Sequence, residues 1–169
     1  RQGSEYEADE AAIKATKENA KEVIKILGKN AYPKVPKDFN EAKKALEKYK
    51  FVVMGGMLPG ITTDSDAVLL AECVESEKVI NISNIDGVYD KNPKEYNDAK
   101  KYHFLTHDEL LKLAFENDKR IAGTNFVFDI LACKLAARSK IEVHFVSGKK
   151  IEEVEKAVEG KDHSGTIVK

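Results

Sequence analysis

What this sequence lacks narrows its function before any motif is considered. No apolar run approaches the roughly 20 residues needed to cross a bilayer, which excludes a helical membrane span. The first 12 residues are polar and acidic, so nothing there resembles a secretory leader, and the expected setting is cytoplasmic. Formal net charge is only -1, so the basic footprint of a nucleic-acid binder is missing. There are two cysteines, Cys73 and Cys133, far apart and both within helical patterns. They read as free thiols in a reducing compartment rather than as a disulfide. The four histidines form no cluster with metal-ligand spacing. His103 and His107 are four apart, but Leu105-Thr106 marks a helix start between them, so no metal site is expected. Internal repeats and low-complexity tracts are absent as well.

What is present is an ordinary globular composition: 42% hydrophobic and 34% charged over 169 residues, enough for one domain (1–169) with a sizeable core. The chain opens on Arg1 rather than methionine, which reads as a processed, trimmed or engineered product.

Hydrophobic periodicity alternates between helix and strand. Asp9 to Leu27 predicts a helix with an apolar stripe at Ile13, Thr16, Ala20, Val23, Ile24 and Leu27, ended by Gly28. Residues 31–36, with two prolines, predict an extended connector. Asn40 is placed to cap a helix reaching Tyr49. Phe51 to Met54 predicts a short buried strand, Asp64 to Glu75 a helix, and Val79 to Ile82 a strand covered on both faces. Helices follow at Thr106 to Glu116 and, capped by Thr124 or Asn125, up to Ser139, with Val127, Ile130, Leu131, Leu135 and Ala136 turned inward. A strand at Ile141 to Val146, a helix at Lys150 to Val158 and a last strand at Gly165 to Val168 complete the pattern. Residues 90–103 form the most exposed insertion. The fold class is α/β, a three-layer αβα arrangement on a mainly parallel sheet.

Three segments carry chemistry. Val79 to Pro93 reads as a strand that delivers Ser83, Asn84, Asp86, Gly87 and Tyr89 to its carboxyl end, where open α/β sheets bind ligands. An ordinary strand-to-hairpin turn has the same composition. Met54 to Asp66 leaves a strand through Gly55, Gly56 and Gly60 and enters a helix. Glycines and helix-start amides suit an anion, and Thr62 and Thr63 add hydroxyls, although a tight strand–helix connection needs similar residues. Ile121 to Asn125 repeats a glycine and a capping hydroxyl before a helix, which is equally an ordinary cap.

Taken in order, Met54-Gly55-Gly56-x-x-Pro59-Gly60-x-Thr62-Thr63-Asp64, Ser83-Asn84-Ile85-Asp86-Gly87-Val88-Tyr89 and Ala122-Gly123-Thr124-Asn125 resemble the amino acid kinase family. Within it, the archaeal-type uridylate kinases are most similar. The resemblance runs from about Glu7 to Ile167. It implies transfer of the terminal phosphoryl of ATP to UMP with Mg2+. By that resemblance Met57, Leu58, Pro59, Gly60, Ile61, Thr62 and Thr63 line the phosphate and ribose side of UMP, and Asp9 stands where the family has an acidic UMP ligand. Ser83, where the family usually has Thr, and Tyr89 hold the base and ribose side of ATP. Asn92 falls where an Asp is usual, and Asp86 lies near the phosphates, placing them or the metal. Positioning and charge neutralisation dominate such chemistry.

The departures imply a second reading. Two N-terminal glycine loops that cradle phosphates in this family are not among these residues, and losing even one such donor set costs ~3–4 kcal/mol in the transition state. Ala12 replaces a family glycine and Lys17 a family arginine, while Glu18, Lys21 and Glu22 stand where interface-facing apolar residues are usual. These features imply either an excised, resurfaced and catalytically silent derivative with weak nucleotide binding, or a natural chain whose first strands lie outside these 169 residues. Family members assemble into oligomers; charges on the first helix favour a monomer here. A kinase of the same fold acting on a carboxylate, carbamate or isoprenoid phosphate is a further alternative, and the Pro59-Gly60-x-Thr62-Thr63 loop with Asp9 favours UMP over it.

Overall fold

The computed structural model describes residues 3–118 and 128–169. The chain divides into two compact units, residues 1–74 and 75–169.

The first unit is helical. Helix α1 (Glu5–Leu27) begins a turn earlier than the apolar stripe suggests, because Ser4 and Glu7 form a capping box that satisfies the first amides. Ala20 and Ile24 are its buried residues, whereas Val23 of the expected stripe is 44% exposed. A single 3-10 turn (Gly28–Asn30) leads into the connector. Helix α2 (Phe39–Leu46) is capped by Asp38 rather than Asn40 and ends three residues before the expected Tyr49. Helix α3 (Thr63–Cys73) is capped by Thr62, not Asp64. The strand expected at Phe51 to Met54 is not formed: a single parallel bridge joins Ala31 to Phe51, and Phe51 is 39% exposed. Apolar character alone does not make a strand without a partner edge to hydrogen-bond.

The second unit holds a four-stranded sheet with strand order β1-β3-β4-β2: β1 (Lys78–Ser83), β2 (Phe104–Leu105), β3 (Glu142–Ser147) and β4 (Thr166–Val168). Strands β1 and β3 pair in parallel from Lys78↔Glu142 to Ser83↔Ser147, and β2 pairs in parallel with β4. The β3–β4 pair is antiparallel, so the sheet is mainly parallel, as expected. Helices α4 (His107–Asp118), α5 (Ile130–Ser139) and α6 (Ile151–Glu159) accompany it. Successive β3 side chains alternate between faces. Phe145 meets Phe128, just before α5, edge-on at 5.4 Å, while His144 on the opposite face reaches His163, beyond α6. Burying Phe128 and Phe145 (each 1% exposed) stabilises the unit by about 2–3 kcal/mol per side chain.

Two local expectations are corrected. Strand β1 lies at the sheet edge with Ile82 55% exposed, so it is not covered on both faces. Helix α5 is capped by Asp129, whose carboxylate accepts the Ala132 N–H, and Leu131 is 45% exposed instead of inward. Val127 and the proposed caps Thr124 and Asn125, with the whole Ile121 to Asn125 segment, lie outside the described residues.

Candidate functional site

In the first unit, the glycine loop is bound to α1 by polar contacts that the sequence pattern did not reveal. Thr16 Oγ1 accepts the Gly56 N–H at 2.9 Å while donating to the Ile13 carbonyl at 2.8 Å. A Cβ on Gly55 would come within 2.8 Å of the Lys17 backbone nitrogen, so Gly55 is needed for close approach to the helix. Beyond it, the Met57 N–H donates to Asp66 Oδ2 at 2.9 Å, and burial raises the Asp66 carboxyl above its ordinary range despite that bond.

The loop tip closes on the start of α1. Gly60 has φ +79°, a left-handed conformation suited to glycine, and its N–H donates to Asp9 Oδ2 at 2.7 Å across 51 residues of sequence. The Ile61 N–H returns to the Leu58 carbonyl at 3.2 Å, making a turn. Leu58 is 58% exposed at its tip. Thr62 Oγ1 accepts the Ser65 N–H, so one hydroxyl of the expected pair serves as the helix cap, and Thr63 is exposed beside it. The positive end of α3 is already met by Asp64 and Asp66 in its first turn, which weakens its pull on a phosphate. Cation is available nearby: Lys14, Lys17 and Lys37 border a groove of about 490 Å3 whose wall includes Met57 and Pro59.

In the second unit, the strand–turn from β1 is organised around Asp86. Its Oδ1 accepts the Tyr89 hydroxyl at 2.7 Å, and its Oδ2 faces Lys101 Nζ at 3.2 Å and Lys150 Nζ at 3.6 Å. Burial acts to raise the Asp86 carboxyl, but the Tyr89 hydroxyl and the two ammoniums outweigh it and hold it below the usual range. Tyr89 is pushed up to about 12, first by burial and then by the Asp86 bond and charge. Asp86 is therefore a carboxylate and Tyr89 a neutral phenol at neutral pH.

Gly87 is required in this turn: at φ +153°, a Cβ would lie 2.7 Å from Thr166 Oγ1. Thr166 accepts the Val88 N–H at 2.8 Å and donates to the Tyr102 carbonyl, tying the turn to β4. Ser83 Oγ is occupied with Ile85, accepting its N–H and donating to its carbonyl, both at 3.0 Å. Asn92 uses its side chain within its own turn, donating to Glu95 at 2.6 Å and accepting from the Lys94 N–H. The structure thus brings Asp9 to Gly60 and Asp86 to Tyr89, while Asn92 serves its local turn.

Sequence reasoning missed Thr16, Asp66, Lys101 and Lys150. Thr16 stands in the apolar stripe of α1, where a hydroxyl gives no local signal of a distant partner. Asp66 follows the Thr62 cap by one helical turn, a spacing that could have flagged it. Lys101 and Lys150 are brought to Asp86 from 15 and 64 residues away, for which no local signal exists. Among the described residues no group of three or more His, Cys, Asp or Glu could hold a metal ion, and no helix is long and apolar enough to cross a membrane.

A sequence profile of the amino acid kinase family matches residues 6–147. The uridylate kinase of Archaeoglobus fulgidus is 41% identical over 165 residues, covering 98% of this chain and 74% of that protein. That of Thermococcus kodakarensis is 39% identical, covering 95% and 70%. The crystal structure of the A. fulgidus enzyme superposes with a TM-score of 0.87 over 99% of this chain and 74% of that one. The UMP kinase from Bacillus anthracis, at 20% identity, shares the fold with a TM-score of 0.81 over 98% of this chain and 70% of that one. The chain belongs to the amino acid kinase family.

Proposed function

We propose that this chain carries out the chemistry of a uridylate kinase, transferring the terminal phosphoryl of ATP to UMP. The observation that carries this reading is the Asp9–Gly60 bond, which sets an acidic side chain of α1 against the Pro59-Gly60-x-Thr62-Thr63 turn. A carboxylate beside a tight turn that ends on the exposed Thr63 suits the ribose of a nucleotide. Lys14, Lys17 and Lys37 in the adjoining groove supply the countercharge for its phosphate. The printed names of the similar archaeal proteins, uridylate kinase, support the same acceptor.

The donor residues lie in the second unit. The carboxyl ends of the adjacent parallel strands β1 and β3 meet at Ser83 and Ser147, and the Gly148 N–H donates to the Ser83 carbonyl at 2.9 Å. In this reading Ser83 and Tyr89 face the base and ribose of ATP, and Asn92 contributes through the turn it orders. Asp86 holds Lys101 and Lys150 where they can meet phosphate charge.

Mg2+ accompanying ATP would neutralise the transferring phosphoryl group and orient it. Such an ion takes most of its ligands from phosphates and water, so one protein carboxylate suffices. Asp86 is the donor-side carboxylate here. With two ammoniums on Oδ2 it fits the role of anchoring those lysines better than that of a direct ligand.

The test is ADP release coupled to UDP formation with ATP, Mg2+ and UMP. Turnover in the range typical of kinases, about 1–100 s⁻¹, is expected of an active enzyme. Nucleotide binding without UDP would overturn the activity and leave a nucleotide-binding protein of this family. Transfer to a carboxylate or carbamate, but not to UMP, would overturn the acceptor.

A further inference from the structure

We propose that the buried pair His144–His163 is an acid-sensitive positioning element for Asp86, acting through Ser164 and Lys101; the link to ATP rests on the donor-side reading above. Both rings are nearly inaccessible, 4% and 2% exposed. Their hydrogen bonds assign every ring proton. The Gly165 N–H donates to His163 Nδ1 at 3.1 Å, which leaves the His163 proton on Nε2. That proton is donated to His144 Nδ1 at 2.9 Å, so the His144 proton is on its own Nε2 and faces Glu142 Oε2 at 3.3 Å. Two neutral rings with one proton each satisfy the whole chain. An added proton sets N–H against N–H, either between the rings or at Gly165.

The backbone around His163 is fixed by the same contacts that reach the site. Gly165 is pressed against β3 so closely that a Cβ would overlap the Phe145 carbonyl. The next residue back, Ser164, donates its N–H to Glu153 Oε2 and accepts Lys101 Nζ on its carbonyl at 2.7 Å. Lys101 in turn faces Asp86 at 3.2 Å, and Thr166 holds Val88 of the same turn. Displacing residues 163–166 therefore removes an anchor of Lys101 and loosens the Asp86–Tyr89 turn.

The charged surroundings are mixed. Glu142 favours a charged His144, and Lys78 and Lys169 oppose it. Glu153 and Asp162 favour a charged His163, and His103 opposes it, with His144 itself. Burial is the largest influence on both rings and keeps them below the ordinary histidine range. Stability from this pair is fully present above about pH 6.5 and falls as the pH drops below that, because the open form binds the extra protons.

The test uses the unmodified chain without nucleotide. Ring 15N spectra and amide exchange are measured at pH 7.5 and 5.5. Expected are two Nε2–H neutral rings at pH 7.5. After correction for intrinsic rates, opening at Gly165 and Val88 should increase at pH 5.5, by up to about tenfold for each histidine that stays neutral in the closed form. Rings that titrate at or above 6.5, or pH-independent opening, would overturn the proposal. His163→Gln, which cannot take up a proton, should lose the His163 share of that pH response; if the variant fails to fold, the pH series on the unmodified chain still decides. Mg2+–ATP binding is then titrated at both pH values, and it should weaken at pH 5.5 in the unmodified chain and less so in His163→Gln. Opening without any change in ATP affinity would overturn the coupling to Asp86. No ATP binding at either pH would instead overturn the donor-side reading, leaving the histidine element to stand or fall on exchange.

Discussion

Thr16→Val isolates the bond that joins the glycine loop to α1. The substitution keeps the side chain's shape and removes both hydroxyl bonds, the 2.9 Å acceptance from Gly56 and the 2.8 Å donation to Ile13. The Ile13 carbonyl loses a supplementary donor, a minor effect. Gly56 is buried, so its N–H is left without a protein acceptor. Leaving a buried donor unsatisfied costs about 1–3 kcal/mol. If that cost falls on the loop's closed state, the Gly56 amide should exchange about 5- to 150-fold faster, while amides in the sheet of the second unit keep their protection. Thr16→Ser, which retains the oxygen, should recover most of the protection. Amide exchange followed by NMR reads each site separately. Unchanged Gly56 protection in Thr16→Val would refute the assignment of Thr16 as the anchor of the loop.

Gly87→Ala should destabilise the second unit by about 1–3 kcal/mol, because the new Cβ must push Thr166 away; urea unfolding reads this directly. Gly28→Ala is the contrasting case. Gly28 also has positive φ but nothing lies within 4 Å of its Cβ position, so its cost is conformational only, about 1 kcal/mol. Glu153 is lowered to about 2 by the Lys156 ion pair and the Ser164 bonds. A carboxyl lowered in the folded state contributes stability that is present above its ordinary value near 4.5 and lost as pH falls toward 2. Glu153→Gln should therefore flatten the acid limb of unfolding between those values, and an unchanged limb would count against the Glu153 assignment. Light scattering should give a monomer mass if Glu18, Lys21 and Glu22 keep the face of α1 in water; all three are exposed, with Lys21–Glu18 and Lys25–Glu22 paired along it.

The alternation of helix and strand was legible because each element carries its own period, and helices α1, α3, α4 and α6 fall within a few residues of their predicted spans. Helix ends were less legible. Ser4-x-x-Glu7 is a capping box in plain sequence, yet the apolar stripe begins only at Ile13, so the first turn was missed. Asp38 and Asn40 are both acceptable caps, and only the backbone geometry selects the first. Phe51 to Met54 shows the limit of composition, since a strand exists only where an edge accepts it. The site motifs were legible as segments because glycine, proline and threonine punctuate them locally. Their partners were not, because Asp9, Lys101, Lys150 and His163 reach Gly60, Asp86 and His144 through tertiary packing that no local spacing encodes.

The central claim is that acceptor and donor nucleotides are bound by different elements of this chain, and amide chemical-shift mapping tests it most directly. UMP alone should shift Asp9 and residues 57–63. Mg2+–ATP alone should shift residues 83–92, with Lys101 and the 147–150 loop. Shifts from both nucleotides on the same residues, or from UMP confined to the second unit, would contradict the account.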